Sequence, residues 1–469
     1  MGETRGLKEN VMSDATLFEL PPCEESTPSA PRRAEETRVV RPMREQLRWA
    51  AVDLESTLPQ DHRARAIWGF LEEMDLSAFY ESIKAVVDGP GRPTTDPQVL
   101  LALWLLATVE GIGSARRLAR LCDEHDAYRW LRGNVPINYH MLSDFRVAHQ
   151  EALNELLTQI IASLMAADIV NLERVAQDGM RVRASAGAAS FRGKKALEKC
   201  LKRARAQVDR LAQEREHPDP GVTQREQRAR ERAAQERQDR VRQALSYLPE
   251  AQAAKERQQK TRAISERSRV SAPRVSATDP QARVMKMPDG GFRPAYNVEL
   301  ATDSANGVIV GVAVTSEGTD AGQAAPMEEQ VVERAGQHPQ TYLMDGGFAT
   351  RDDITALEQR AVSVYAPVRL PRNRPEQERF QPRYGDSPEV VRWRQRMATE
   401  EAKAIYRRRG STAEWANAQV HLHGVSQFTV RGLVKVTTVA LLVAVAHNFL
   451  RWEALMRRHT PETRPEGWR

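Results

Sequence analysis

The hydrophobic pattern of the chain changes its period near residue 169, and this change most constrains the fold. Before it, apolar residues cluster in helix-like runs such as that from Val99 to Val109. Around Asp178 they alternate with polar residues, which is typical of a half-buried strand. From residue 292 onward, strand patterns and helix patterns follow each other in turn. The sequence therefore predicts an α/β part preceded by an all-helical part.

Composition shifts divide the 469 residues into segments. Residues 1–40 are rich in Pro, Glu, Ser and Arg and predict a flexible tail. Residues 41–168 predict a helical domain and residues 169–455 an α/β domain, followed by a tail at 456–469. Within the second domain, residues 191–270 are dominated by Arg, Glu, Gln, Lys and Ala, which predicts a pair of long charged helices.

The helical domain has short helices joined by tight turns. Asp96 is a predicted N-cap before Pro97, and Ser114 is a predicted cap for the next helix. That helix carries arginines on its open face, namely Arg116, Arg117 and Arg120. The pattern is compatible with a helix-turn-helix-like DNA-binding domain, and an ordinary solvated helical bundle is the alternative.

The α/β domain contains a predicted β-hairpin, Tyr296–Thr302 and Val308–Thr315, joined through Asn306-Gly307. Asp320 is predicted to cap the helix that follows. The apolar stretch within 436–446 carries flanking polar residues and is shorter than a membrane span, so we expect a buried helix and no membrane.

Three acidic residues occupy positions that suggest chemistry. Asp345 follows the buried strand Thr341–Met344 and precedes two glycines, at a strand end where ligands bind. Asp178 lies among apolar strand residues, and Glu414 lies in a polar helix. Each carboxylate taken alone has a structural alternative, because most acidic residues are simply solvated or hydrogen-bonded. Without the 191–270 insertion, the element order is that of a ribonuclease-H-like fold, which places carboxylates at these three points.

Six segments resemble those of bacterial insertion-sequence DDE transposases, and they occur in the family's order. They are GRPTTDPQVLLALWLLATVEGIGSARRLARLC with INYHMLSDFR, VAQDGMRVRASA, FRPAYNVELATD, LMDGGFAT, YRRRGSTAEWANAQVHLHG and RGLVKVTTVALLVAVAHNFLR. The resemblance covers roughly residues 40–455. It implies a helical N-terminal DNA-binding domain and a ribonuclease-H-like catalytic domain with a helical insertion.

The resemblance also implies a metal-dependent reaction on DNA. Asp178, Asp345 and Glu414 would converge to hold two Mg²⁺ ions, with Mn²⁺ as a substitute, for cleavage of phosphodiester bonds and strand transfer. Tyr406 and an arginine of the 407–409 run would contact DNA near the scissile phosphate. The partners implied are the terminal inverted repeats and target DNA, bound by a homodimer on paired ends in the bacterial cytoplasm.

Two considerations favour different arginines. On a regular α-helix Arg407, seven residues before Glu414, falls almost in line with it. The family signature favours Arg409, although that signature leaves three residues between Arg and Glu and this chain has four. The prediction is that Arg407 or Arg409, and not Arg408, lies on the catalytic face.

Other functions are compatible with parts of the sequence. A catalytically inactive relic that only binds its former DNA ends is one alternative, and a ribonuclease-H-type nuclease without strand transfer is another. The net charge of +6 permits nucleic-acid binding without requiring it. The three cysteines are far apart and predict neither a zinc site nor a disulfide framework.

Overall fold

The computed structural model describes residues 53–84, 93–216, 221–260, 271–370 and 375–457. The tail predicted at 1–40 lies outside the described residues, as does the tail at 456–469 from residue 458 onward. The described residues belong to one compact unit, and its helical part and sheet share a hydrophobic core. The domain boundary near residue 168 therefore stays a prediction.

Helices fill the described chain before residue 168. They are α1 (Arg63–Glu72), α2 (Ser77–Tyr80), α3 (Pro97–Val109), α4 (Ala115–Glu124), α5 (Asp126–Arg132), α6 (Tyr139–Ala148) and α7 (Gln150–Ala166). The Asp96 carboxylate accepts from the Gln98 N–H at 2.8 Å, and Ser114 Oγ accepts from the Arg117 N–H at 3.4 Å. Both predicted caps are thus confirmed, because each side chain accepts from a first-turn N–H that has no acceptor within the helix.

The second part is built on a six-stranded sheet. The strands of the described residues are β1 (Arg174–Arg183), β2 (Phe191–Arg192), β3 (Val275–Ser276), β4 (Arg283–Lys286), β5 (Phe292–Asp303), β6 (Ile309–Thr315), β7 (Thr341–Met344) and β8 (Ser363–Tyr365). The sheet order is β4-β5-β1-β7-β8, and β6 also pairs with β5, while β2 pairs only with β3. β1 is antiparallel to β5 and parallel to β7.

The predicted hairpin is confirmed by the antiparallel pairing of β5 and β6. Asp303 Oδ2 accepts from the Asn306 N–H at 2.9 Å, and Gly307 follows with φ at +68°. That left-handed backbone conformation favours glycine. A Cβ at Gly307 would also lie 2.7 Å from the ring of Trp415, so the glycine leaves room for that ring.

The insertion contains the pair of long helices that its sequence predicts. They are α8 (Lys194–Glu216) and α9 (Gln224–Ser246), and α10 (Leu248–Lys260) follows. α8 and α9 pack along each other, and a small apolar cluster at their base contains Leu197, Val241 and Val275. This cluster is separate from the main core, so the long helices are anchored at one end.

The remaining helices are α11 (Ala324–Ala335), α12 (Arg351–Gln359), α13 (Pro388–Met397), α14 (Glu400–Arg407), α15 (Trp415–Leu422) and α16 (Leu433–Met456). The prediction that Asp320 caps α11 is wrong. Gln323 is the N-cap residue, and its side chain makes no capping bond. Asp320 Oδ1 instead accepts from the Asn297 amide at 2.8 Å, so a sheet residue takes the carboxylate that the helix would have used.

The helix α16 joins the helical part to the sheet. The Asn448 side chain bonds both the N–H and the carbonyl of Ile309 in β6, each at 2.8 Å, and Phe449 packs on Phe70 of α1. Among the described residues, α16 is the one helix whose length and composition would allow a membrane crossing, with a mean hydropathy of 1.8. Because 67% of that apolar window is buried inside the protein, α16 serves here as a core helix.

Candidate active site

The register of two parallel strands places Asp178 beside Asp345. Gln177 of β1 pairs with Met344, the last residue of β7, so the next residues of the two strands are Asp178 and Asp345. Asp178 is half-buried in mid-strand, whereas Asp345 is exposed where β7 ends. The carboxyl end of β7 therefore opens beside the middle of β1, and there the first two predicted acids lie side by side.

Glu414 comes to the same place on a distorted helix. Residues Gly410–Glu414 form a π-helical segment between α14 and α15. A π-helical turn holds one more residue than an α-helical turn between its hydrogen-bonded groups. The segment therefore accommodates the fourth residue between Arg409 and Glu414, and both side chains still face β1.

Arg409 lies between two of the predicted acids. Its Nη1 is 3.5 Å from Oδ1 of Asp178, and its Nη2 is 3.7 Å from Oε1 of Glu414. The Arg409 side chain is only 12% exposed, while Glu414 is 66% exposed. Nη1 of Arg409 is buried and makes no hydrogen bond within the described chain. A guanidinium that lies beside these acids without a hydrogen bond from Nη1 is suited to bind a phosphate oxygen.

Burial and neighbouring charges set the protonation of this site. Burial raises the pKa of Asp178 and the carboxylates of Asp345 and Glu414 raise it further, while Arg409 and the Gly179 N–H oppose the rise. Burial alone would lower the pKa of Arg409, but Asp178 and other neighbours outweigh it and raise that pKa. The guanidinium thus stays charged among the acids. Burial likewise raises the pKa of Tyr406, which lies beside Arg409.

Sequence reasoning missed Asn417. This residue lies one helical turn beyond Glu414, and its Nδ2 donates to Oδ2 of Asp178 at 3.0 Å. Its Oδ1 is buried and has no hydrogen-bond partner among the described residues. The available signal was the spacing, since residues three apart share one face of a helix.

A second polar group lies on the other face of β1. Glu299 of β5 is fully buried, and its carboxylate receives the side-chain amides of Asn297 and, at 3.4 Å, of Gln177. A Cβ at Gly179 would lie 2.9 Å from Oε1 of Glu299, so glycine leaves room for that carboxylate. Burial, with Asp320 nearby, raises the pKa of Glu299 to about 8.

The predicted DNA-contacting residues fall into two groups. Arg116, Arg117 and Arg120 are exposed along α4, and Arg116 stacks over the ring of Tyr139 at 5.0 Å. Near the acids, Tyr406 and Arg409 point into the site. Arg407 and Arg408 are exposed, and Arg407 pairs with Glu400 at 3.7 Å.

Arg407 would align with Glu414 only on a regular α-helix. α14 ends at Arg407, and the π-helical segment changes the phase of everything after it. The alignment with Glu414 therefore passes to Arg409, which is the residue that the family signature favours. The structure and the family signature thus both favour Arg409. A constant α-helical period gives Arg407 instead, because it leaves out the π-helical segment.

The three acids surround one site without closing on a single point. Within the described chain, no three His, Cys, Asp or Glu side chains are close enough together to hold an ion. The expected convergence is therefore partial, with Arg409 between Asp178 and Glu414. The donor set still fits a hard divalent cation, because it offers three carboxylates and the unpaired Asn417 oxygen.

Two family models match the chain. Residues 52–148 match a transposase domain, DUF772, and residues 373–452 match a transposase DDE domain. Both matches are to transposase domains, so the resemblance to insertion-sequence DDE transposases is confirmed. No curated protein and no solved structure gives a significant match.

The two matches cover different parts of this transposase. The first contains the arginines of α4, and the second contains Tyr406, Arg409 and Glu414. Asp178 and Asp345 lie outside both matched segments. Their place beside Glu414 therefore depends on the pairing of β1 with β7 and on the contacts of Arg409.

Proposed function

We propose that this transposase cleaves phosphodiester bonds at the ends of its element and transfers the cut strands into target DNA. Asp178, Asp345 and Glu414 are the proposed metal ligands of a ribonuclease-H-like domain. The observation that carries the proposal is the register of β1 with β7, which sets Asp178 beside Asp345, with Arg409 linking Asp178 to Glu414. The sheet order, with β5 antiparallel and β7 parallel to β1, supports the fold assignment.

The acids would hold Mg²⁺, or Mn²⁺ in its place. Two bound ions would supply an activated oxygen nucleophile and charge stabilisation at the leaving oxygen. The residues of the chain do the positioning. Asn417 fixes the Asp178 carboxylate. The Arg409 guanidinium, which lies between Asp178 and Glu414, would bind a non-bridging oxygen of the scissile phosphate. Tyr406 can stack on a displaced end base.

The exposed arginines of α4 are the proposed contacts to the terminal inverted repeats, and a homodimer would hold two ends together. Arg116, Arg117 and Arg120 lie on the open face of a helix whose inner face is buried through Leu118 and Cys122. Arginine side chains bind both phosphates and base edges. Charge reversal at the three arginines should weaken binding to end DNA, most of all at low salt.

The direct test is cleavage of a labelled end duplex in Mg²⁺ by the full chain. Asp178→Asn, Asp345→Asn and Glu414→Gln should each reduce nicking to background. DNA binding should stay close to that of the parent, because the phosphate contacts made elsewhere remain. Asp352→Asn in α12 is a matched control, since Asp352 is exposed and lies outside the site.

Two results would contradict the proposal. Near-normal nicking by any one of the three variants would remove that residue from the ligand set. Nicking without joined products, in the presence of target DNA, would indicate a nuclease that lacks strand transfer.

A further inference from the structure

The first half of α8 has an exposed basic face. Residues 192–205 include seven lysines and arginines but one acidic residue, Glu198. Lys195, Lys199 and Lys202 are spaced by four and three residues, so they share one face of the helix. All three are exposed, and the opposite face of α8 packs against α9.

These charges differ from three arginines on the same hairpin, which form ion pairs with acidic residues of their own helices. Farther along, Arg210 pairs with Glu214 at 3.3 Å, and Arg242 pairs with Asp239 at 2.9 Å. None of the seven basic residues of 192–205 makes an ion pair with a residue that the structure describes. Like charges four residues apart destabilise a helix. A polyanion on this face would remove that repulsion.

The base of α8 is connected to the candidate active site through one loop. This loop, residues 425–432, follows α15, and its Phe428 N–H donates to the Arg183 carbonyl at the end of β1 at 2.8 Å. Arg431 Nε donates to the Ser185 carbonyl at 3.2 Å, shortly before α8 begins. The chain that leads into α8 is thus held by the loop that leaves the helix of Glu414.

The same loop also contacts the helical part. Thr429 Oγ1 accepts from Nη2 of Arg146 at 3.1 Å, and Nη1 of Arg146 donates to the Gly113 carbonyl at 2.6 Å. Gly113 directly precedes Ser114, the N-cap residue of α4. The segments that precede α4 and α8 are therefore both held by the loop of residues 425–432.

We propose that the basic face of α8 binds the phosphate backbone of duplex DNA without reading its sequence. From Lys195 to Lys202 the helix rises about 10 Å, a length over which duplex DNA carries about six charges. Lysine ammonium groups suit this contact, because they act as point charges and need no fixed geometry. The inference rests on the proposed function only in taking DNA as the substrate.

The test is a salt titration of binding to a duplex of random sequence. The triple variant Lys195→Glu, Lys199→Glu and Lys202→Glu should lower the slope of log K against log salt by about three, roughly one per lost phosphate contact. Affinity should fall about equally for random and end duplexes. Because the three side chains are exposed, the circular dichroism spectrum should be unchanged. The triple Lys→Gln variant should also lower the slope of log K against log salt.

The matched control reverses three paired arginines of the same hairpin, Arg210, Arg240 and Arg242, for an identical change in net charge. It should leave the slope near that of the parent. An equal slope change in both triple variants would overturn the proposal, because the effect would then be one of total charge. Tighter binding of single-stranded RNA than of duplex DNA by the parent would also overturn it.

Measuring Mg²⁺-dependent nicking in the same preparations separates the two ideas. If the parent nicks end DNA and the α8 variant binds with an unchanged slope, only the role of α8 fails. If the parent binds duplex DNA with the expected slope but does not nick it, the proposed reaction fails and the role of α8 stands.

Discussion

The side-chain amide of Asn417 donates a 3.0 Å hydrogen bond to Oδ2 of Asp178, although 239 residues separate the two in the sequence. Asp178 Oδ1 meanwhile receives its own neighbour's Gly179 N–H at 3.0 Å and faces Arg409. Both oxygens of the carboxylate are therefore held in place. A proposed ligand fixed in this way needs little reorganisation when it acts.

Asn417 is expected to act as a positioning residue for Asp178. Asn417→Ala should lower the nicking rate by about 10- to 100-fold, the usual cost of losing a partner that orients a metal ligand. The Mg²⁺ concentration for half-maximal activity should rise at the same time, a change that a purely structural role would not cause. Gln419→Ala on the same helix is the control. An unchanged Mg²⁺ dependence in Asn417→Ala would show that the hydrogen bond is incidental.

The three consecutive arginines should differ in their effect. Arg409→Ala should reduce nicking by about 100-fold or more, the scale observed when a group that stabilises transition-state charge is removed. Arg407→Ala and Arg408→Ala should stay near parental activity, because both side chains are exposed and Arg407 pairs only with Glu400. Nicking assays at fixed Mg²⁺ measure this, with folding checked by circular dichroism. Equal activity in all three variants would show that none of these arginines binds the scissile phosphate.

Particular residues show which structural features can be predicted from the sequence. The alternation around Asp178 and the apolar run before Asp345 predict their strands, and Asn306-Gly307 predicts the hairpin. These signals are local, since each depends on a few neighbouring residues. Asp320 shows the limit, because its local pattern is that of a helix cap while Asn297, on a distant strand, binds its carboxylate.

The arrangement of the site needed the fold. Which strand lies beside β1, and in which register, is decided by pairing between distant segments, so the meeting of Asp178 with Asp345 cannot be read from either segment alone. The identity of the inward arginine depends on the π-helical segment Gly410–Glu414. A wheel drawn at a constant period gives Arg407, and one additional residue in the turn is enough to turn Arg409 inward.

The π-helical segment gives a prediction about chain length. Deleting Ser411, which is exposed, should convert the segment to α-helix and leave three residues between Arg409 and Glu414. Residues four apart share one face of an α-helix, so both side chains should still face Asp178 and most of the nicking activity should remain. Far-ultraviolet circular dichroism and nicking of an end duplex measure this.

The control is a deletion in α15, a regular α-helix whose turns contain no additional residue. Removing Ala418 from α15 should rotate the following residues by about 100° and displace Val420 from the core, where it is 3% exposed. That variant should lose both stability and activity. A folded but inactive Ser411 deletion would mean that the site needs the π-helical geometry itself, and not only the facing of the two side chains.

Glu299 is expected to make stability depend on pH. Its ordinary pKa is 4.5, and burial, aided by Asp320, raises it to about 8 in the folded protein. Between these values the folded state binds a proton that the unfolded state has released. The stabilisation linked to this proton is fully present below the unfolded pKa and is lost as the pH rises through the folded pKa. The free energy of unfolding should therefore fall across this window.

Glu299→Gln should remove this component, because the amide does not titrate. The variant loses an acceptor for the Asn297 and Gln177 amides, so its absolute stability can be lower at every pH. The test is consequently the difference between parent and variant in urea midpoint at about pH 5 and about pH 9, which should shift in favour of the variant at the higher value. Glu317→Gln, at an exposed position after β6, should show no such shift. A parallel pH dependence in parent and Glu299→Gln would mean that Glu299 is already ionised in the folded protein.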